Sequence, residues 1–179
     1  MGNDLLTYIQ RMELMAFFAG FPLIYAIVYA IAGVKHKIAG SFSNRLTSSL
    51  SFAYALTGTL FLGLLLKDLY PDYSAKNIAF QFQTPYLILW GISSVLCWIP
   101  FFHKKKLGCL LHSLVFFFLL LKDLFMSFNG SIDKDMIQND MKLYTTSLFI
   151  NTGTFLFILI FRLMIPRLKT KEKSAGHRL

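Results

Sequence analysis

One charged dipeptide recurs in the same apolar setting at two places in this chain. Leu64-Leu65-Leu66-Lys67-Asp68-Leu69-Tyr70 is echoed by Leu119-Leu120-Leu121-Lys122-Asp123-Leu124-Phe125 at an offset of 55 residues. The match runs backwards without a gap through Phe61 and Phe116 to Leu56 and Leu111, and forwards to Tyr73 and Phe128. Adjacent residues on a helix point about 100° apart, so Lys67 and Asp68 make a poor ion pair with each other, as do Lys122 and Asp123. Two roles fit them. Crossed pairs, Lys67 with Asp123 and Lys122 with Asp68, would tie the two segments together. Alternatively, the four charges line a polar site, helped by Gln81, Gln83, Asn151 and Thr152. The plainer account is that the lysines snorkel to the membrane surface and the aspartates mark helix ends.

Other reactive side chains are sparse. His112 stands alone on an apolar stretch with no second ligand at metal spacing, so it reads as a packed core residue. His36, His103 and His177 fall in basic connections and in the tail. Cys97 and Cys109 sit near the cytoplasmic ends of their segments, where thiols stay reduced, and no disulfide is expected between them. The chain holds no glycine-rich phosphate loop, no His-Glu zinc pair, no Gly-x-Ser-x-Gly elbow and no paired intramembrane carboxylates. The expectation is a protein that is not an enzyme and takes no metal or cofactor.

The elements that hold these residues follow from composition. The chain is 55% hydrophobic and 15% charged, with phenylalanine at 19 of 179 positions; a soluble domain averages about 25% charged. The charge is gathered into short clusters between apolar runs long enough to span hydrocarbon. Five transmembrane helices are expected, at about 14–34, 50–70, 84–102, 107–128 and 143–165, in a single all-α membrane domain of residues 1–179. Helices are required because lipid offers backbone groups no partners, and the alternating segments of a barrel are missing. The first run exceeds a secretory signal core, and Asp4 and Glu13 against Arg11 give it the wrong flank. Leu6 stands where a myristoylation signal needs Ser or Thr.

Orientation follows from the basic residues. Lys35, Lys37, Arg45, Lys104, Lys105, Lys106, Arg162 and the tail of residues 166–179 place twelve basic residues and one acid on one side. The other side carries six basic residues against eight acids. The amino terminus is therefore expected outside and the tail in the cytoplasm, in a plasma membrane of the bacterial inner-membrane type. The net charge of +9 is then a matter of topology, and the partner is a lipid bilayer rather than nucleic acid. Lys122 lies about 22 Å along a helix starting near Leu107, close to the outer boundary of a hydrocarbon core of about 30 Å.

If 50–70 with 84–102 and 107–128 with 143–165 are hairpins, both open from the cytoplasm as parallel repeats, with the first helix an extra, peripheral element. A weaker correspondence links Gly91 to Gly153. Ser51, Ala55, Thr59 and Gly63 recur every four residues and predict a smooth packing stripe. Pro22 is expected to kink the first helix; Pro71, Pro85 and Pro100 lie near helix ends. Tyr70, Tyr73, Tyr86, Trp90 and Trp98 read as interfacial anchors. Phe116, Phe117 and Phe118 point to three sides of one helix and cannot all face one small core. With no sizeable domain outside the membrane, the expected role is a subunit, accessory or assembly factor of a larger membrane complex, its partners other membrane subunits or a second copy. The alternatives are a small transporter or channel, or a membrane-bound enzyme or sensor.

Overall fold

The computed structural model describes residues 11–35, 40–71, 73–74, 78, 84–104, 106–129 and 134–175. Gln81, Gln83, His36 and His177, singled out above, lie outside the described residues. Among the described residues the chain is helical and carries no strand. The first span consists of α1, residues 11–18, and α2, Phe21–Lys35, separated by a turn at residues 19–20. Then come α3 (Gly40–Asp68), α4 (Pro85–Ser93), a 3₁₀ segment (Ser94–Trp98), α5 (Pro100–Lys104), α6 (Lys106–Asn129) and α7 (Lys134–Ala175). Four helical stretches are long and apolar enough to cross a membrane: Arg11–Gly33, Asn44–Asp68, Leu107–Met126 and Gln138–Met164.

The segment expected as an unbroken third span is instead three short pieces. Pro85 opens α4 from its first turn, where the missing N–H costs nothing. Ser93 Oγ then donates to the Trp90 carbonyl at 2.7 Å and Ser94 Oγ to that of Gly91 at 2.6 Å. Such back-bonding competes with the α-helical ladder, and the chain tightens into the 3₁₀ segment. Ile99 is extended (φ −70°, ψ 133°) because Pro100 disfavours the helical conformation in the residue before it. α7 departs in the other direction. Its 42 residues, about 63 Å at 1.5 Å per residue, exceed the expected span at both ends.

Side-chain pairs give the directions. Phe18 lies against Phe61 of α3 and Phe116 of α6, with ring centroids 5.4 and 4.9 Å away. Lower down, Tyr54 of α3 reaches His112 of α6, and above, Glu13 lies near Asp68 while Arg11 binds Asp123. α3 and α6 therefore run parallel. Gly91 packs against Phe61, Gly58 against Ser94, and the Trp98 ring lies 5.9 Å from that of Phe52, so α4 and the 3₁₀ segment return antiparallel to α3. Thr57 meets Thr154 at 3.1 Å and Arg162 hydrogen-bonds Ser48, so α7 is antiparallel to α3 as well.

The first helix is central, not peripheral. Leu14, Met15, Phe18, Ala19 and Phe21 are all at most 2% exposed. Phe17, Phe18 and Phe21 form a ladder of rings against Phe61, Phe116 and Tyr54. Between helices in lipid the driving force is packing rather than removal from water, and each well-placed aromatic pair adds about 0.5–1.5 kcal/mol. A helix offering three such rings is drawn between its neighbours.

The small-residue stripe packs only along half its length. Ser51 and Ala55 are buried, whereas Thr59 is exposed and Gly63 faces open space. Close approach occurs at other glycines: Gly20 against the Ser147 backbone, Gly58 against Ser94, and Gly91 against Leu14, Phe61 and Phe18. Gly153 meets nothing within 4 Å, so its environment differs from that of Gly91. The three phenylalanines diverge as expected: Phe116 is buried, Phe117 touches Tyr144, and Phe118 is exposed.

Candidate functional site

The repeated charges do not converge. Lys67, Asp68 and Lys122 are exposed, and among the described residues neither crossed pair forms. Asp123 takes Arg11 instead, Nη2 to Oδ1 at 2.6 Å. Arg11 opens α1, level with both dipeptides, so one cation from a third helix reaches the carboxylate first. Asp140 lies near Arg11 and Asp123; it is 2% exposed, with neither carboxylate oxygen hydrogen-bonded. This forms a charged group where the amino-terminal parts of α1 and α7 meet the carboxy-terminal part of α6.

Asn151, grouped with the polar site from sequence, does structural work deeper in the bundle. The turn at residues 19–20 interrupts the ladder of the first span, and its backbone groups need partners because lipid supplies none. Asn151 Nδ2 donates to the Phe17 carbonyl at 2.7 Å and to that of Ser147 at 2.8 Å. The Gly20 N–H donates to Ser147 Oγ at 2.7 Å. Two polar side chains one turn apart on α7 thus mend the break.

The second polar group lies between the 3₁₀ segment and α6, and its hydrogen-bond directions are determined. His112 Nε2 is 2.7 Å from the Trp90 carbonyl. A carbonyl only accepts, so in the neutral ring Nε2 carries the proton. Nδ1 then accepts from the Tyr54 hydroxyl at 2.5 Å. Ser93 Oγ, whose own proton goes to Trp90, stands 2.9 Å from Nε2 as a further acceptor. The Trp90 ring stacks on the imidazole, 4° from parallel with centroids 4.8 Å apart, and its Nε1 donates to the His112 carbonyl. Trp90 is thus more than an interfacial anchor. One face of this group meets a cavity of about 610 Å³, lined by Trp90, Ser93, Leu96, Cys97, Phe102, Gly108, Cys109, Leu111, His112 and Val115. Its walls are otherwise apolar.

Cys97 and Cys109 meet on the wall of that cavity, Sγ to Sγ at 3.0 Å, both buried and both unbridged thiols. Sequence placed each near a helix end but not beside the other. The signal was faint: they stand twelve positions apart, and the reversal of the chain between the 3₁₀ segment and α6 brings them face to face. Tyr54, Ser93, Arg11 and Asp140 were likewise missed, since one hydroxyl or charge in an apolar run carries no spacing pattern. Among the described residues, no group of three or more His, Cys, Asp or Glu side chains is placed to hold a metal ion. A second, open apolar groove of about 430 Å³ lies between α3 and α7, with Gly153 and Thr154 between Leu56, Leu60, Phe149 and Phe157. Compared with known proteins, the chain matches no family model, no curated protein and no solved structure.

Proposed function

We propose that this chain is a five-pass membrane protein acting as a subunit, accessory or assembly factor of a larger membrane complex, with its contacts made by helix faces inside the bilayer. Five crossings are supported by direction: α3 and α6 run parallel, so residues 85–104 must carry the chain back. Nine α, five 3₁₀ and five α residues rise about 31 Å, close to a hydrocarbon core of about 30 Å. The basic side, with its twelve residues, supports an outer amino terminus, a cytoplasmic tail and a plasma-membrane location. A reporter fused after Leu179 or inserted among Lys104, Lys105 and Lys106 is expected to read cytoplasmic, and one placed just before Lys134 to read exterior. Opposite readings would overturn this orientation. The parallel-repeat reading rests on α3 and α6, whose matched residues Phe61 and Phe116 share one neighbour, Phe18.

The observation that carries the subunit reading is uneven burial. Leu107–Met126 and Gln138–Met164 have only 22% and 28% of their apolar windows covered by the chain itself, against 44% for Arg11–Gly33 and 56% for Asn44–Asp68. Exposed glycines such as Gly153 beside bulky residues are what a partner helix needs for close approach. The polar-solute alternative loses support, because Lys67, Asp68 and Lys122 point outward and Asn151 is tied into the bundle.

Photocrosslinkers at Phe118, Phe149 and Phe157, which are 61%, 75% and 61% exposed, test the reading in native membranes. The expected result is one defined protein adduct, another subunit or a second copy, from at least one of these positions and none from buried Phe116. Lipid adducts alone at all three, with the gently purified protein running as a lone monomer, would overturn it.

A further inference from the structure

We propose that the cavity beside Cys97, Cys109 and His112 binds a quinone-class, lipid-soluble ligand, and that the two thiols form a dithiol–disulfide couple with it. This goes beyond the subunit reading and does not depend on it. Three observations define the ligand. The cavity lies between helices and is apolar apart from one edge, so its occupant comes from the hydrocarbon. That edge carries the His112 imidazole, whose Nε2 hydrogen is already taken by Trp90 O at 2.7 Å with Ser93 Oγ 2.9 Å away, so the occupant is held by apolar and ring contacts. The Trp90 ring, 44% exposed, lines the same space with a flat apolar surface for an aromatic ring.

The thiols supply the chemistry. Their sulfurs, 3.0 Å apart, are about 1 Å from the length of a disulfide bond. In the oxidation, the two S–H bonds break and one S–S bond forms. Two electrons and two protons pass to the ligand's two carbonyl oxygens, giving the quinol, with no other reactant required. Cys97 and Cys109 are 8% and 1% exposed, so a soluble thiol reductant has poor access and the couple answers to the lipid-soluble pool.

Because these are the chain's two cysteines, the test reads directly. The full-length protein is reduced, reconstituted in nanodiscs and treated anaerobically with a short-chain benzoquinone or naphthoquinone. Tryptophan fluorescence, quinol absorbance and maleimide labelling after denaturation are followed. The expected result is saturable quenching, one quinol per chain and loss of both reactive thiols. Cys97→Ser and Cys109→Ser should each give no quinol. Leu111→Trp, placed at an exposed position on the cavity rim, should block quenching and quinol formation while both thiols stay oxidisable by diamide. That variant keeps the test sound if a cysteine substitution fails to fold. Thiols that stay reactive under quinone yet oxidise with diamide would overturn the proposal. So would disulfide formation whose rate rises linearly with quinone and is unchanged in Leu111→Trp, since that is collision without a site.

Discussion

Gly20→Val is expected to be the most damaging single substitution in the membrane bundle, lowering the thermal midpoint of the purified protein by about 10 °C or more. A Cβ at this position would stand 2.7 Å from the Ser147 carbonyl carbon, 2.8 Å from the Leu148 nitrogen and 2.9 Å from the Ser147 oxygen. All three are backbone atoms of α7, so no side chain can swing aside and the helix itself must move. That displacement strains the bond from the Gly20 N–H to Ser147 Oγ and the bond from Asn151 Nδ2 to the Phe17 carbonyl. Overpacking costs about 1–3 kcal/mol, and each buried polar group left without a partner about 1–3 kcal/mol. A combined loss of roughly 3–5 kcal/mol corresponds to about 10 °C in a chain of this size. Gly63→Val supplies the comparison: its Cβ meets nothing within 4 Å, and the expected change is within about 0.5 kcal/mol. Melting curves in one detergent decide the matter. Equal midpoints for the two variants would mean that α7 does not lie against the break in the first span.

Removing the guanidinium of Arg11 is the second large effect expected, and here the double substitution should be milder than the single one. The side chains of Arg11 and Asp123 are 29% and 15% exposed, and Asp140, 2% exposed, lies near both. Arg11→Met leaves two carboxylates close together without that cation. Stripping one partner from a fully buried pair costs about 3–5 kcal/mol, and residual water contact here lowers the expectation to about 2–3 kcal/mol. Asp123→Asn added to Arg11→Met removes the uncompensated charge and should restore more than half of the loss, a coupling that a double-mutant cycle measures. Additive losses would show that Arg11 acts on stability through its aliphatic packing alone. Lys67→Met, by contrast, removes an exposed charge and should leave the midpoint within about 0.5 kcal/mol. A crossed pair with Asp123 would instead make that substitution costly.

Membrane class, helical character and the placement of four spans were legible in the sequence by itself. The expected 14–34, 50–70, 107–128 and 143–165 overlap Arg11–Gly33, Asn44–Asp68, Leu107–Met126 and Gln138–Met164 along most of their lengths. These properties are local: apolar run length and the charges at its ends set where a helix can lie in hydrocarbon. The break at Ile99 was half legible, since Pro100 was visible but the back-bonding of Ser93 and Ser94 was not. What only the tertiary structure decided is which residues face inward. In water an apolar face is told from a polar one, but in lipid nearly every face is apolar, and fit rather than hydrophobicity chooses the contacts. So the first helix moved to the centre on the strength of Phe18 and Phe21, and Gly20, Gly58 and Gly91 became the close approaches while Gly63 and Gly153 stayed open. Asp123 found Arg11 rather than Lys67, and Tyr54 met His112 across 58 residues of sequence. Cys97 came to lie on Cys109. Each pairing joins atoms on different helices, and the helix that carries a polar group does not encode, in its own period or composition, the neighbour that will satisfy it.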